Sequence, residues 1–216
     1  MHDIATFVIA LAGAVAAGAG SLPLVGWCAT LAGDTATAPP LRASRPDWVT
    51  AAVLGAVLGA TGTFLAPLPA WWLLGAGGAA LAVVDWRTHR LPARFVHPLA
   101  AAITAVLLVD AAVTSQWTDL ERAALAAAVV GSLWFLVAFV SPAAVGLGDI
   151  RVAALTAGLL GYEGWTDVLL GQLSTSLLGA VTAAAMLLRG NRFDAGMRVP
   201  MGPALVGGAF LAALTS

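Results

Sequence analysis

Long apolar runs follow one another along almost the whole chain, each broken by a few polar, glycine or proline residues. A hydrocarbon core about 30 Å thick needs roughly 20 helical residues to cross it. On that measure the runs predict helices near residues 4–26, 48–66, 69–86, 95–113, 122–141, 150–161, 166–188 and 199–214. The run at 150–161 is short, and spans only by borrowing residues around Gly148 or beyond Gly161. Helix is the expected element because a spanning segment must satisfy its own backbone hydrogen bonds, and the alternation of barrel strands is missing. Pro39, Pro40, Pro67, Pro69, Pro142 and Pro200 fall in or beside the connections, where a missing amide hydrogen costs least. The expected fold is therefore all-α: a polytopic integral membrane helical bundle of about eight transmembrane helices, forming one membrane-embedded domain over 1–216.

Composition fixes the solvent. The chain is 60% hydrophobic and 10% charged, with a mean hydropathy of +0.93, too apolar to cover a water-soluble globule with polar surface. The net charge is -1 and no basic tail exists, so nucleic acid is not an expected partner; the lipid bilayer is. All ten cationic residues are arginine, and their positions orient the helices. With the N-terminus outside, Arg42, Arg45, Arg87, Arg90, Arg94, Arg151, Arg189, Arg192 and Arg198 fall in inside loops, and Arg122 alone falls outside. That split follows the positive-inside rule and places Asp85 and Asp149 at the cytoplasmic face of a plasma (inner) membrane. Trp48, Trp71, Trp72, Trp86, Trp117 and Trp165 lie near helix ends, where interfacial anchors are expected. Gly55 and Gly59 have the small-xxx-small spacing that lets two helix backbones approach, and the glycines at 75, 77 and 78 are read the same way.

Several chemistries find no support. Cys28 is alone, so it is read as a small buried hydrophobe rather than part of a disulfide or metal site. His2, His89 and His97 lack a two-histidine metal spacing on a helix, and no nucleophile elbow or phosphate loop is present. Met1-His2-Asp3 lacks the positive flank of a secretory signal, so the first run is read as a retained helix.

The acids at the membrane boundary carry the chemistry. Most of them, including Asp3, Asp34, Asp47, Asp110, Asp119, Glu121, Glu163, Asp167 and Asp194, fit solvated helix-end charges. Asp149 differs because Gly146-Leu147-Gly148 precedes it, and two glycines there admit an extended substrate backbone that side chains would block. Asp85 stands at the same face, where an apolar run gives way to Arg87 and Arg90. If the fold brings the two carboxylates to about 4 Å, their repulsion is worth roughly 4 kcal/mol at an effective dielectric near 20. That lifts the second ionisation from about 3.9 towards neutrality, so one proton is shared at cytoplasmic pH. The ionised member can then take a proton from an attacking water while the protonated member donates to the peptide carbonyl and later to the leaving nitrogen.

Asp85, with Arg87-Thr88-His89-Arg90-Leu91-Pro92 after it, resembles the Asp-x-x-x-x-x-Ile-Pro-Asn signature of the type IV prepilin peptidases, the GxGD-type membrane aspartyl proteases. Gly146-Leu147-Gly148-Asp149-Ile150-Arg151 resembles their Gly-x-Gly-Asp-x-Lys, and Val199-Pro200-Met201-Gly202-Pro203 resembles the Ile-Pro-Phe-Gly-Pro that begins their last helix. The resemblance covers the chain from about Leu81 to the end, which makes 81–216 the catalytic core and 1–80 a degenerate N-terminal part. It implies an aspartyl endopeptidase that removes the short basic leader of prepilins or pseudopilins at the cytoplasmic face, without a metal or other cofactor. Asp85 and Asp149 would be the catalytic acids. Gly146, Leu147, Gly148, Arg151, Leu91, Pro92, Pro200, Gly202 and Pro203 would support or contact the substrate, with Arg151 read first as an interfacial anchor.

The chain also departs from that pattern. Pro92 is followed by Ala93 where the family has asparagine, and Gly20-Ser21-Leu22-Pro23-Leu24 is at best the counterpart of a Gly-Ser-Phe-Leu-Asn segment. The loop at 33–47 is short and lacks the paired cysteines of the longer members, so the N-methylation those enzymes also perform is not carried over. Two other readings stay open: an intramembrane protease of the presenilin or signal-peptide-peptidase kind, and a catalytically degenerate pilus-assembly scaffold. The cytoplasmic arginines would repel a basic leader unless Asp34, Asp47 or Asp194 offsets them.

Overall fold

The computed structural model describes residues 2–33, 43–62, 65–142, 145–189 and 199–215. Among these residues it contains eight α-helices and no strand: α1 (His2–Gly33), α2 (Arg45–Thr61), α3 (Leu68–Thr88), α4 (Ala93–Thr114), α5 (Trp117–Val140), α6 (Leu147–Glu163), α7 (Trp165–Leu188) and α8 (Gly202–Ala213). Five of them, α1, α3, α4, α5 and α7, are long and apolar enough to cross a bilayer. The protein is thus an all-α, polytopic membrane protein. The short α6 has 17 residues because it begins at Leu147 and reaches Glu163, annexing both of the flanks the hydrophobic pattern left out.

Other boundaries move for local reasons. α1 continues past 26 to Gly33 with Pro23 inside it, because the apolar run carries on through Trp27 and Leu31 and membrane helices tolerate a lost amide. α2 stops at Thr61 rather than 66. α5 starts at Trp117, not 122, so Asp119 and Arg122 lie on its first turns as an i,i+3 ion pair of 3.0 Å. Prolines gather at helix starts, where their missing N–H is one of the orphans anyway: Pro67 and Pro92 are N-caps, and Pro46, Pro69 and Pro203 lie in first turns.

The chain divides into two compact units, Met1–Gln116 and Trp117–Ser216. In the first, α3 packs against α1, α2 and α4. Every residue from Leu74 to Asp85 is buried, as expected of a helix that is apolar on all sides. Small residues make that possible. A Cβ on Gly55 would come to 2.7 Å from the Ala17 carbonyl oxygen, and one on Gly59 would overlap the Gly13 carbonyl. Ser21, fully buried on α1, lies 2.8 Å from the carbonyl oxygens of both Gly18 and Ala51, tying α1 to α2. Gly75 takes Leu58 and Gly59, while a Cβ on Gly77 would lie 2.7 Å from the Leu99 methyls of α4. Trp71 corrects one expectation: it is wholly buried and is a core residue, whereas Trp86, Trp117 and Trp165 are exposed at helix ends.

In the second unit α5 packs on α6, and α8 on α6 and α7. A Cβ on Gly161 would sit 2.5 Å from that of Ala126, and Gly208 leaves room for the Thr175 hydroxyl. Arg122 closes the C-terminal end of α6: its Nε donates to the Gly161 carbonyl at 2.6 Å and its Nη2 to those of Tyr162 and Glu163. The one arginine that departs from the positive-inside pattern therefore spends its charge on helix-end carbonyls and on Asp119.

Candidate active site

α3 ends one turn beyond Asp85. His89 adopts the left-handed conformation, φ 51 and ψ 37, and its N–H donates to the Asp85 carbonyl at 2.7 Å. The Thr88 hydroxyl donates to the Val84 carbonyl at 2.8 Å. The chain then turns through buried Leu91 to Pro92, whose carbonyl accepts the N–H groups of Phe95 and Val96 at 2.9 and 3.1 Å to start α4. Ala93 takes the first helical position. Asp85 itself is 3% exposed, while Trp86 and Arg87 beside it are exposed. A buried carboxyl in a membrane helix is costly to keep and is read first as functional.

Beside this turn lies an acid whose place at a helix end predicts a solvated charge. Asp47, in the first turn of α2, is only 8% exposed. Its Oδ2 accepts the Ser44 N–H at 2.6 Å and the Ser44 hydroxyl at 2.7 Å. Its Oδ1 accepts Nη1 of Arg87, which also donates to the Ser44 hydroxyl at 3.0 Å. Burial pushes the Asp47 carboxyl up, but the Ser44 amide and hydroxyl and the Arg87 guanidinium outweigh it and hold the group below the usual carboxylate value. The signal was present: Ser-x-x-Asp is the signature of a helix N-terminus in which the acid folds back on the cap. Asp167, also 6% exposed, is the second acid that proves buried rather than solvated. Asp34 and Asp194 lie outside the described residues.

The Gly-x-Gly-Asp stretch is the start of α6. Gly146 is the N-cap, Leu147 the first helical residue, and Asp149 the third. Asp149 folds back so that its Oδ2 accepts the Gly146 N–H at 2.8 Å, satisfying one orphan donor of the helix end. Gly146 has φ -84 and ψ 152, extended backbone that any residue adopts. What glycine supplies there is room, since a Cβ would lie 3.1 Å from Asp149 Oδ2. Leu147 is exposed, Gly148 and Asp149 are half-buried, and Arg151 is half-buried one turn into the helix.

The third stretch starts α8. Pro200 is buried, Met201 is the N-cap, Gly202 is the buried first residue, and Pro203 follows in the first turn. Met201 packs on α7, its Cε 3.1 Å from where a Gly179 Cβ would be. Asp85, Leu91 and Pro92 thus belong to the first unit, and Gly146 to Arg151 together with Pro200 to Pro203 to the second.

Comparison with known families finds a match to the type IV leader peptidase family over residues 72–187. The matched stretch runs from the first turns of α3 into the last of α7, contains both Asp85 and Asp149, and stops before Pro200. No curated protein and no solved structure matches. The chain belongs to the type IV leader peptidase family. It is accordingly a multi-pass inner-membrane peptidase of the leader-peptidase type.

Proposed function

We propose that the protein is an aspartyl endopeptidase that removes the leader of type IV prepilins or pseudopilins at the cytoplasmic face, with Asp85 and Asp149 as its catalytic acids. The observation that carries this reading is the placement of those two acids. Each stands within one turn of the end of an apolar helix, next to arginine, and both fall inside the stretch that matches the family. The family also favours this reading over an intramembrane protease that cuts mid-helix.

The arginine distribution of the sequence, with the N-terminus outside, supports a cytoplasmic position for both acids. The proposed mechanism requires the two carboxylates to share one proton. The ionised acid takes a proton from water as the water oxygen attacks the scissile carbonyl carbon, and the protonated acid donates to the carbonyl oxygen. Collapse of the tetrahedral intermediate breaks the C–N bond as the acid that gained the proton gives it to the leaving nitrogen and the other acid takes back a proton from a hydroxyl of the intermediate, which restores the shared proton. The titration belongs to the pair rather than to either residue. Leu91, Pro92, Gly146, Leu147, Gly148, Arg151, Pro200, Gly202 and Pro203 shape the site around the substrate. The Asp47–Arg87 pair supports the idea that a basic leader is tolerated, since one arginine beside Asp85 is already neutralised.

The experiment is cleavage of a prepilin-like substrate by membranes holding the wild-type chain or its Asp85→Asn and Asp149→Asn variants. Cleavage after the leader by wild type alone supports the reading. A wild-type chain inert towards every prepilin of its own genome supports the scaffold instead.

A further inference from the structure

Asp85 sits on the last full turn of a helix that stops at Thr88. The His89 N–H on the Asp85 carbonyl is the last helical hydrogen bond of this turn, and helix ends are where local opening concentrates. Within that turn, and among the described residues, Trp86 is exposed and the Thr88 hydroxyl bonds inside α3 or to the Arg90 carbonyl. Arg87 is different. It reaches out of α3 to another helix, onto Asp47 and Ser44.

Asp47 is a firm anchor for it. Two donors from Ser44 fix its Oδ2, which leaves Oδ1 aimed at the guanidinium. Behind it α2 is pinned to α1 by the close approaches at Gly55 and Gly59. The cleft between the three helix ends, lined by Val25, Ala29, Ala43, Val84 and the ion pair, holds about 30 Å³, room for little beyond a water molecule, and Asp47 is buried at its side while the Arg87 side chain is half exposed. A continuous path of short contacts therefore runs from α1 through α2, Asp47 and Arg87 to the turn that carries Asp85.

We propose that Asp47 is a positioning residue for Asp85, acting through Arg87 to fix the last turn of α3. This rests on the reading of Asp85 as a catalytic acid. The two charged groups form one device, so removing either has the effect of removing both.

The test compares the wild-type chain with Arg87→Gln, Asp47→Asn and the double variant in two measurements. Arg87→Gln keeps the Asp47–Ser44 cap, so it stays folded even if α2 depends on that cap. The first measurement is hydrogen exchange in detergent over residues 82–92, which needs no activity. The second is steady-state cleavage of a prepilin-like substrate, with Asp119→Asn as a control whose ion pair lies in the other unit. Exchange at the end of α3 is expected to rise about tenfold in each single variant and no further in the double. In parallel kcat is expected to fall about tenfold or more with KM within about twofold, as follows from misplacing a reacting group by a fraction of an ångström. Unchanged exchange overturns the proposal whatever the activity. Faster exchange with normal kcat also overturns it, and leaves the pair a purely structural tie. If wild type does not cleave, or Asp85→Asn cleaves normally, the catalytic reading of Asp85 has failed and the positioning role falls with it, while the exchange data still report whether the tie exists.

Discussion

The carboxylate of Asp149 accepts the N–H of Gly146 at 2.8 Å, and the same oxygen lies 3.1 Å from where a Gly146 side chain would begin. The glycine and the acid of the motif are thus in contact. Gly146→Ala is expected to keep its backbone conformation and normal abundance, because φ -84 suits any residue. It is expected to displace the Asp149 oxygen by a few tenths of an ångström and lower kcat by about tenfold. Gly146→Val should cost more. Full activity in both variants would mean that the position of Asp149 does not limit turnover.

The Asp47–Arg87 pair gives a pH dependence of defined sign. The Asp47 carboxyl is held below its ordinary value in the folded protein, so its contribution to stability is complete above the unfolded value of roughly 4. It is lost as pH falls through the lower folded value, because there the folded state must also take up the proton. The thermal stability of wild type in detergent should therefore exceed that of Asp47→Asn by a constant margin from pH 7 to 5. The margin should shrink below about pH 4. A margin that grows on acidification would reverse the sign and contradict the account.

Helix packing in the first unit predicts an order among glycines. A Cβ on Gly59 meets backbone, the Gly13 carbonyl, and cannot be relieved by moving a side chain. At Gly75 the nearest atom is the Gly59 amide nitrogen at 3.3 Å, a gap that a small shift can open. Gly59→Ala should destabilise by about 2–3 kcal/mol and Gly75→Ala by about 1 kcal/mol or less. Unfolding in a denaturing detergent titration would rank them.

Much of this was legible in the chain. Eight helices follow from the period of apolar runs, because the bilayer sets their length and the backbone must pair internally. The helix ends were not, and the reasons are local. Residues 147–149 look like a flexible glycine motif, yet Asp149 caps Gly146 and draws the motif into α6. The acid three residues after a cap position was the signal, and it recurs at Ser44 and Asp47. Asp85 was found by its place at an apolar boundary, but its burial and the Asp47–Arg87 tie depend on contacts between residues 40 apart, which no periodicity reports. Trp71 looked like an interfacial anchor for the same reason: its neighbours in space are not its neighbours in sequence.

Arg122 shows this most clearly. Its place in the sequence makes it an exception to the expected positive-inside pattern, and as the cap of α6 it has defined work. Arg122→Ala is expected to destabilise the protein by about 2–3 kcal/mol, since several charge-assisted bonds to carbonyls are lost together. Arg122→Lys should recover less than half of that, because a single ammonium cannot span three carbonyls as the guanidinium fork does. Melting temperatures of the purified variants in one detergent decide it. Equal stability of all three proteins would remove the cap from the account.

The central claim is that Asp85 and Asp149 work as a pair, and the most direct measurement is leader cleavage in membranes by Asp85→Asn and Asp149→Asn at matched abundance. The account predicts that wild type cleaves and that each substitution alone lowers the rate by at least about 10³-fold, with the double variant no slower than either, as for residues that act as one unit. Cleavage at the wild-type rate by either single variant would contradict it.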